Sequence, residues 1–153
     1  MELHAANSYL IEQFLNPNGN NRTDVYDCSI ENRARFAVEI AQRVAYAIGK
    51  EKVWIRISSN SALGDLQAYD DDITQETYIH LTREFNHIRI AYIHMSINPQ
   101  VPAQTLGAIR TDFEGTVIYC NTFTPEMQKQ KLNWKMETQT WSLLGVRFLL
   151  IQT

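Results

Sequence analysis

The sequence predicts an α/β fold of repeating strand–helix units, and three observations carry that prediction. Short apolar runs alternate along the chain with amphipathic segments of helical period. One of the runs, Val53 to Ser58, is continuous rather than polar–apolar alternating, as in strands of a parallel sheet buried on both faces. At 153 residues the chain has the size of one domain.

The elements follow in order. An opening strand, "MELH", leads into a long connection over residues 5–30, with an amphipathic turn in "YLIEQFL" and a loop-forming "NPNGNNRTD". Loops of that length are usually functional or disordered. A helix is predicted from Glu31 to Ile48: Ser29 can cap it, Phe36, Ile40, Val44 and Ile48 recur every fourth residue, Glu39 can pair with Arg43, and Gly49 stops it. "VWIRIS" (Val53 to Ser58) reads as a strand buried on both faces, and a helix is expected near Ile73 to Asn86. "IRIAYIHMS" (Ile88 to Ser96) is the next strand, "AQTLGAIRTDF" a weaker helix, and "TVIYC" (Thr116 to Cys120) a fourth strand. A short helix should start near Thr124-Pro125, and the last apolar run, ending in "LLIQT", reads as a fifth strand parallel to the others. On this pattern alone the fold is an open doubly wound sheet. The first strand, with no lead, and the last, with no covering helix, are unusual for that architecture.

Composition narrows the function. Apolar residues at 44% and charged residues at 20% are globular values, and a net charge of −3 without clustered Lys or Arg argues against a nucleic-acid partner. Cys28 and Cys120 form no CxxC and have no adjacent His, which suggests neither zinc nor a disulfide framework and fits a cytoplasmic protein. No run approaches the ~20 apolar residues of a membrane span, so no membrane partner is expected.

"HAANSYLIEQFL" and "NNRTDVYDCSIENRARF" resemble the old yellow enzyme family, the FMN-dependent alkene reductases, in particular its N-ethylmaleimide and oxophytodienoate reductase branch. The likeness continues through "GKEKVWIRIS", "IAYIHM" and "FEGTVIYCNTFTPE" and fades towards "GVRF". The resemblance implies a (β/α)8 TIM barrel with FMN at the carboxyl ends of the strands. A full barrel needs ~250 residues. Residues 1–153 are therefore expected as a single incomplete TIM-barrel domain holding strands four to eight, with strands one to three missing.

The resemblance also implies roles. His4 and Asn7 would hydrogen-bond the oxygen of an activated alkene, where hydride addition builds negative charge. Tyr9 would be the proton donor, a phenol being a suitable acid towards an enolate. Without the resemblance, His4 and Asn7 read as turn residues and Tyr9 as a loop aromatic. Arg56 interrupts an apolar strand and needs an anion: either an internal ion pair, or, as the resemblance implies, the pyrimidine edge of the flavin. At the FMN phosphate the sequence departs from the family, with Asn121 and Thr122 in place of a Gly-Gly pair and Val146 in place of the Gly before Arg147. Asp27 and Cys28 likewise replace a Gly-Gly pair, which should strain that loop.

The other polar residues invite simpler readings. His80 and His87 should be solvated, His94 structural at the end of a strand, and Asp70 to Asp72 complements of a helix dipole rather than metal ligands. Two functions follow from the resemblance. One is an NAD(P)H-dependent ene-reductase acting on a small activated alkene. The other is an inactive remnant, or a half-barrel that needs a complementing chain to supply the missing strands and cover open edges.

Overall fold

The computed structural model describes residues 1–60, 66–97, 100–121, 139–143 and 146–151, with the backbone alone from residue 121 onward. Strands β1 (Glu2–Ala5), β2 (Trp54–Ile57), β3 (Tyr92–Ile97) and β4 (Thr116–Asn121) lie side by side in chain order, all parallel. Helices α2 (Ile30–Ile48), α3 (Asp71–Ile88) and α4 (Ala103–Asp112) connect them, and the short α1 (Leu10–Leu15) follows β1.

All four helices belong to one side. Leu3, Ala5, Ile55, Ile57, Ile93, Met95, Val117 and Tyr119 alternate along the strands and share one core with helix residues such as Leu15, Ala37, Leu81, Phe85 and Ile109. The other face carries Glu2, His4, Trp54, Arg56, Tyr92, His94 and Ile118, and none of the described helices covers it. Sequential strand order with helices on one side is a segment of a β/α barrel wall. A doubly wound sheet reverses its strand order and carries helices on both faces.

Two strand expectations are corrected. β2 is not buried on both faces: Ile55 and Ile57 are fully enclosed, whereas Trp54 and Arg56 are only half-buried on the open face. The final apolar run forms β6 (Val146–Ile151), antiparallel to β4 and paired with an unforeseen β5 (Gln139–Leu143), giving the order β1-β2-β3-β4-β6-β5. Only two residues separate β5 from β6 in the chain, and a parallel crossover needs a dozen or more, so the two run antiparallel. The helix expected at Thr124-Pro125 lies outside the described residues.

Local chemistry sets the helix ends. Ser29 Oγ accepts the Asn32 N–H at 3.2 Å to start α2, and Gly49, at φ +94°, ends it. Asp70 accepts the N–H groups of Asp72 and Ile73 at 2.9 and 3.1 Å, so the acidic run caps and charges the start of α3 as expected. Inside α3 the hydroxyls of Thr74, Thr77 and Thr82 each donate to the carbonyl four residues back, which lets this helix bury threonines against α2 and α4. Arg89 closes α3 in the left-handed region, at φ +61°.

The long connection after β1 is folded by its polar residues. Phe14 stacks on Phe36 with ring centres 4.3 Å apart, Tyr26 meets both edge-on, and the Arg22 guanidinium lies over Phe14 and Tyr26. Asn20 donates to the carbonyls of Phe14 and Tyr26, and buried Arg33 to those of Leu15 and Cys28. The Tyr26 hydroxyl donates to Glu39, the carboxylate expected to pair with Arg43. Cys28 sits at φ +79°, so the strain expected where Asp27-Cys28 replaces glycines is present.

Candidate active site

The carboxyl end of β1 gathers three predicted residues within one turn. His4 is exposed on the last turn of strand, Asn7 is half-buried just beyond it, and Tyr9 is 61% exposed, its ring centre 5.1 Å from that of His4. Asn7 and Ser8 stand at φ +58° and +63°, two successive left-handed residues that fold the chain back and place Tyr9 beside His4. L-residues adopt that conformation at a cost of roughly 1–2 kcal/mol each.

Hydrogen bonds underneath the turn offset that cost. The Asn7 N–H donates to Ser58 Oγ at 2.9 Å, and Ser58 Oγ donates to Glu12 Oε1, also at 2.9 Å. The Ser8 N–H donates to Glu12 Oε2, and the Tyr78 hydroxyl lies 3.3 Å from Glu12 Oε1 and donates to the Ser58 carbonyl. Glu12 is buried, and burial pushes its carboxyl up to about 7 against the opposing pull of these donors. Burial also pushes Tyr69 up to about 12 and raises Tyr78 well above its ordinary value, so both phenols stay protonated. Sequence reading missed this group. Its one visible sign was an acid three residues after Tyr9 at the start of α1, the spacing of a capping box.

Arg56 stands directly across from His4 in the β1–β2 register, and His94 directly across from Arg56 in the β2–β3 register. The structure therefore brings the predicted flavin contact beside the predicted alkene contacts. The ion pair considered for Arg56 is not found among the described residues, and its Nε is buried without a hydrogen-bond partner. Burial, then the Arg56 charge, lowers the pKa of His4, with Glu2 opposing. The imidazole is thus neutral near pH 7 and can donate one N–H.

Below this pair the open face is aromatic and acidic. Trp54 stacks on Tyr92 at 5.0 Å and donates to Glu2 Oε2 at 2.9 Å, while His94 Nδ1 is 3.4 Å from the same oxygen. His94 lies inside β3, not at its end, and burial lowers its pKa despite Glu2. Its reading as structural is consistent with these contacts. His87, by contrast, is exposed, 3.7 Å from Glu84.

The expected phosphate residues are only partly described. Asn121 ends β4 and Val146 and Arg147 open β6. One step beyond the Cys120–Phe148 pair, the register brings Arg147 level with Asn121, at the same edge of the sheet as Ala5 and Ile57. Arg147 therefore reaches the carboxyl end of the parallel strands on an antiparallel strand, not on the parallel one expected. Thr122 lies outside the described residues. No group of three His, Cys, Asp or Glu among the described residues is arranged to hold a metal, and no helix among them is long and apolar enough to cross a membrane.

The one-sided β/α wall thus brings an imidazole, an amide and a phenol to the carboxyl end of β1, beside an Arg56 guanidinium that has no ion pair among the described residues. Residues 1–138 match the NADH:flavin oxidoreductase / NADH oxidase family, and the chain belongs to that family. It is 34% identical over 134 residues to 12-oxophytodienoate reductase 2 of Arabidopsis thaliana, covering 82% of this chain and 35% of the relative. It is 42% identical over 96 residues to a protein of Epichloe festucae var. lolii named "Probable inactive reductase easA", covering 63% of this chain and 25% of the relative. The structure of morphinone reductase in complex with tetrahydroNAD superposes with a TM-score of 0.73 at 36% identity, covering 80% of this chain and 33% of that one. The chain thus spans between a quarter and two fifths of such relatives' length.

Proposed function

We propose that this chain carries the alkene-facing part of an FMN-dependent, NAD(P)H-driven ene-reductase site. Its β1–β4 sheet would correspond to strands four to seven of the barrel. The observation that carries the reading is the juxtaposition of His4, Asn7 and Tyr9 with Arg56, whose Nε lacks a protein partner on the face no described helix covers. A buried guanidinium nitrogen without a carboxylate suits the electron-rich pyrimidine edge of a flavin. Asn121, Thr122, Val146 and Arg147 would lie towards the phosphate.

Bound FMN would supply a hydride, taken from NAD(P)H, to the alkene carbon distal to the activating carbonyl or nitro group. As that C–H bond forms, the C=C electron pair moves onto the activating oxygen. His4 and the Asn7 side chain hold that oxygen by hydrogen bonds and stabilise the developing charge. The Tyr9 phenol then gives its proton to the carbon next to the activating group and is reprotonated from water, to which it is open.

A catalytically silent product is the second reading, favoured by the antiparallel β6 where a closed barrel requires a parallel strand. The comparisons give no support to a complementing chain. Purification separates the readings. A yellow, folded protein whose colour is bleached by NADPH without oxygen and restored by a cyclic enone supports the reductase. A colourless protein that takes up no added FMN supports the silent product, and FMN uptake only after adding a polypeptide with the first three strands supports the half-barrel.

A further inference from the structure

Glu12 is not among the residues expected to meet substrate, yet it is the acceptor on which their turn converges. Ser8 N–H reaches one carboxylate oxygen, and Ser58 Oγ, itself holding the Asn7 N–H, reaches the other. Resting on the reductase reading, we propose that Glu12 is a positioning residue for alkene binding: through Ser58 it ties the left-handed Asn7–Ser8 turn to the carboxyl end of β2, and so sets where Asn7 stands relative to His4 and Arg56.

The chemistry argues for a role beyond packing. A buried carboxylate is a costly way to fill space, and an apolar side chain would avoid that cost. Its value lies in accepting on both oxygens at once, which an amide or alkyl group cannot do. Its partners come from three separate places in the chain: the Ser8 N–H of the turn and the Ser58 hydroxyl at the end of β2 donate to it, and the Tyr78 hydroxyl of α3, which donates to the Ser58 carbonyl, lies 3.3 Å from Oε1. The ionisable groups around it are Tyr78 on α3 and Tyr69 ahead of α3, with Arg33 of α2 acting on Tyr69 through its charge while its donors go to backbone carbonyls. Neither phenol loses its proton in the working range, and His4, beside the turn at Tyr9, has its pKa lowered from 6.5, so a response of the turn near pH 7 that vanishes in Glu12→Gln belongs to Glu12. A cavity of about 20 Å³ beside Glu12, lined in part by Asn16, Asn60 and Tyr69, has room for one water to carry the proton.

The test compares wild type, Glu12→Gln, Ser58→Ala and the double variant by amide hydrogen–deuterium exchange over residues 4–14, corrected for intrinsic rates, between pH 5.5 and 8. Exchange at Asn7 and Ser8 should be about tenfold faster in each single variant at pH 8, the scale of one charge-assisted hydrogen bond. The double variant should add little, because both changes break one chain of contacts. Wild-type exchange should quicken as pH falls through 7, and that dependence should vanish in Glu12→Gln. In flavin-loaded protein the same variants should raise KM for a cyclic enone and leave flavin reduction by NADPH unchanged. Unchanged exchange in the turn, additive effects, or loss of protection spread evenly over the whole chain would each overturn the proposal. Ser58→Ala decides the matter if Glu12→Gln does not fold. Exchange needs no flavin, so a protein that binds no FMN defeats the reductase reading while the role of Glu12 is still decided.

Discussion

His4 of β1 and Arg56 of β2 are cross-strand partners on the face of the sheet that no described helix covers. The guanidinium charge helps keep the imidazole neutral, and the imidazole takes the place beside Arg56 where a carboxylate would otherwise be expected. Each therefore presents hydrogen-bond donors to the open face. Such a face is suited to an electron-rich guest, and the two residues belong to it jointly.

Arg56→Met separates the two explanations of that guanidinium. With no ion pair of Arg56 among the described residues to lose, the protein should keep its stability to within about 0.5 kcal/mol, whereas breaking a buried ion pair would cost ~3–5 kcal/mol. The His4 pKa should rise, since the Arg56 charge lowers it. Urea unfolding and NMR titration of His4 read the two effects, and FMN affinity should fall in the same variant.

Stability should depend on pH through Glu12. Its folded pKa of about 7 lies above the ordinary 4.5, so the folded state binds more protons than the unfolded state in this window. The contribution is fully present below pH 4.5 and is lost as pH rises towards 7, amounting to about 3 kcal/mol. His4 and His94 act oppositely, because their lowered pKa values cost stability as pH falls below 6.5. Urea midpoints of Glu12→Gln against wild type from pH 4 to 8 isolate the Glu12 part, and the variant should gain relative stability as pH rises.

Cys28→Gly should stabilise the protein by about 1 kcal/mol, since glycine adopts φ +79° without the penalty that cysteine incurs. Thermal denaturation measures it. A loss of stability would mean that the strain is relieved by contacts of the thiol.

Much of the wall was legible because local signals agree with it. Ser29 and Gly49 bound α2, Asp70 starts α3, and apolar runs mark β2 to β4 to within a few residues. The facing of β2 was not, because Trp54 and Arg56 read as part of a continuous run until a sheet with one open face gives them somewhere to go. The direction of β6 was hidden as well: an apolar run specifies a strand, and orientation depends on a β5 partner whose "QTWSL" carries little strand pattern. At the site, the spacing of His4, Asn7 and Tyr9 could be read directly. Glu12 could not, because an acid on a short amphipathic helix looks like a solvated residue until Ser58 and Tyr78 arrive from distant parts of the chain.

The central claim, that the turn after β1 is where an alkene is reduced, is tested most directly by rapid mixing of FMN-loaded Tyr9→Phe, following reduction by NADPH and reoxidation by a cyclic enone separately. Loss of a general acid should slow reoxidation about a hundredfold or more and leave reduction unchanged. Equal slowing of both steps, or of neither, would contradict the placement of Tyr9 at the reacting carbon.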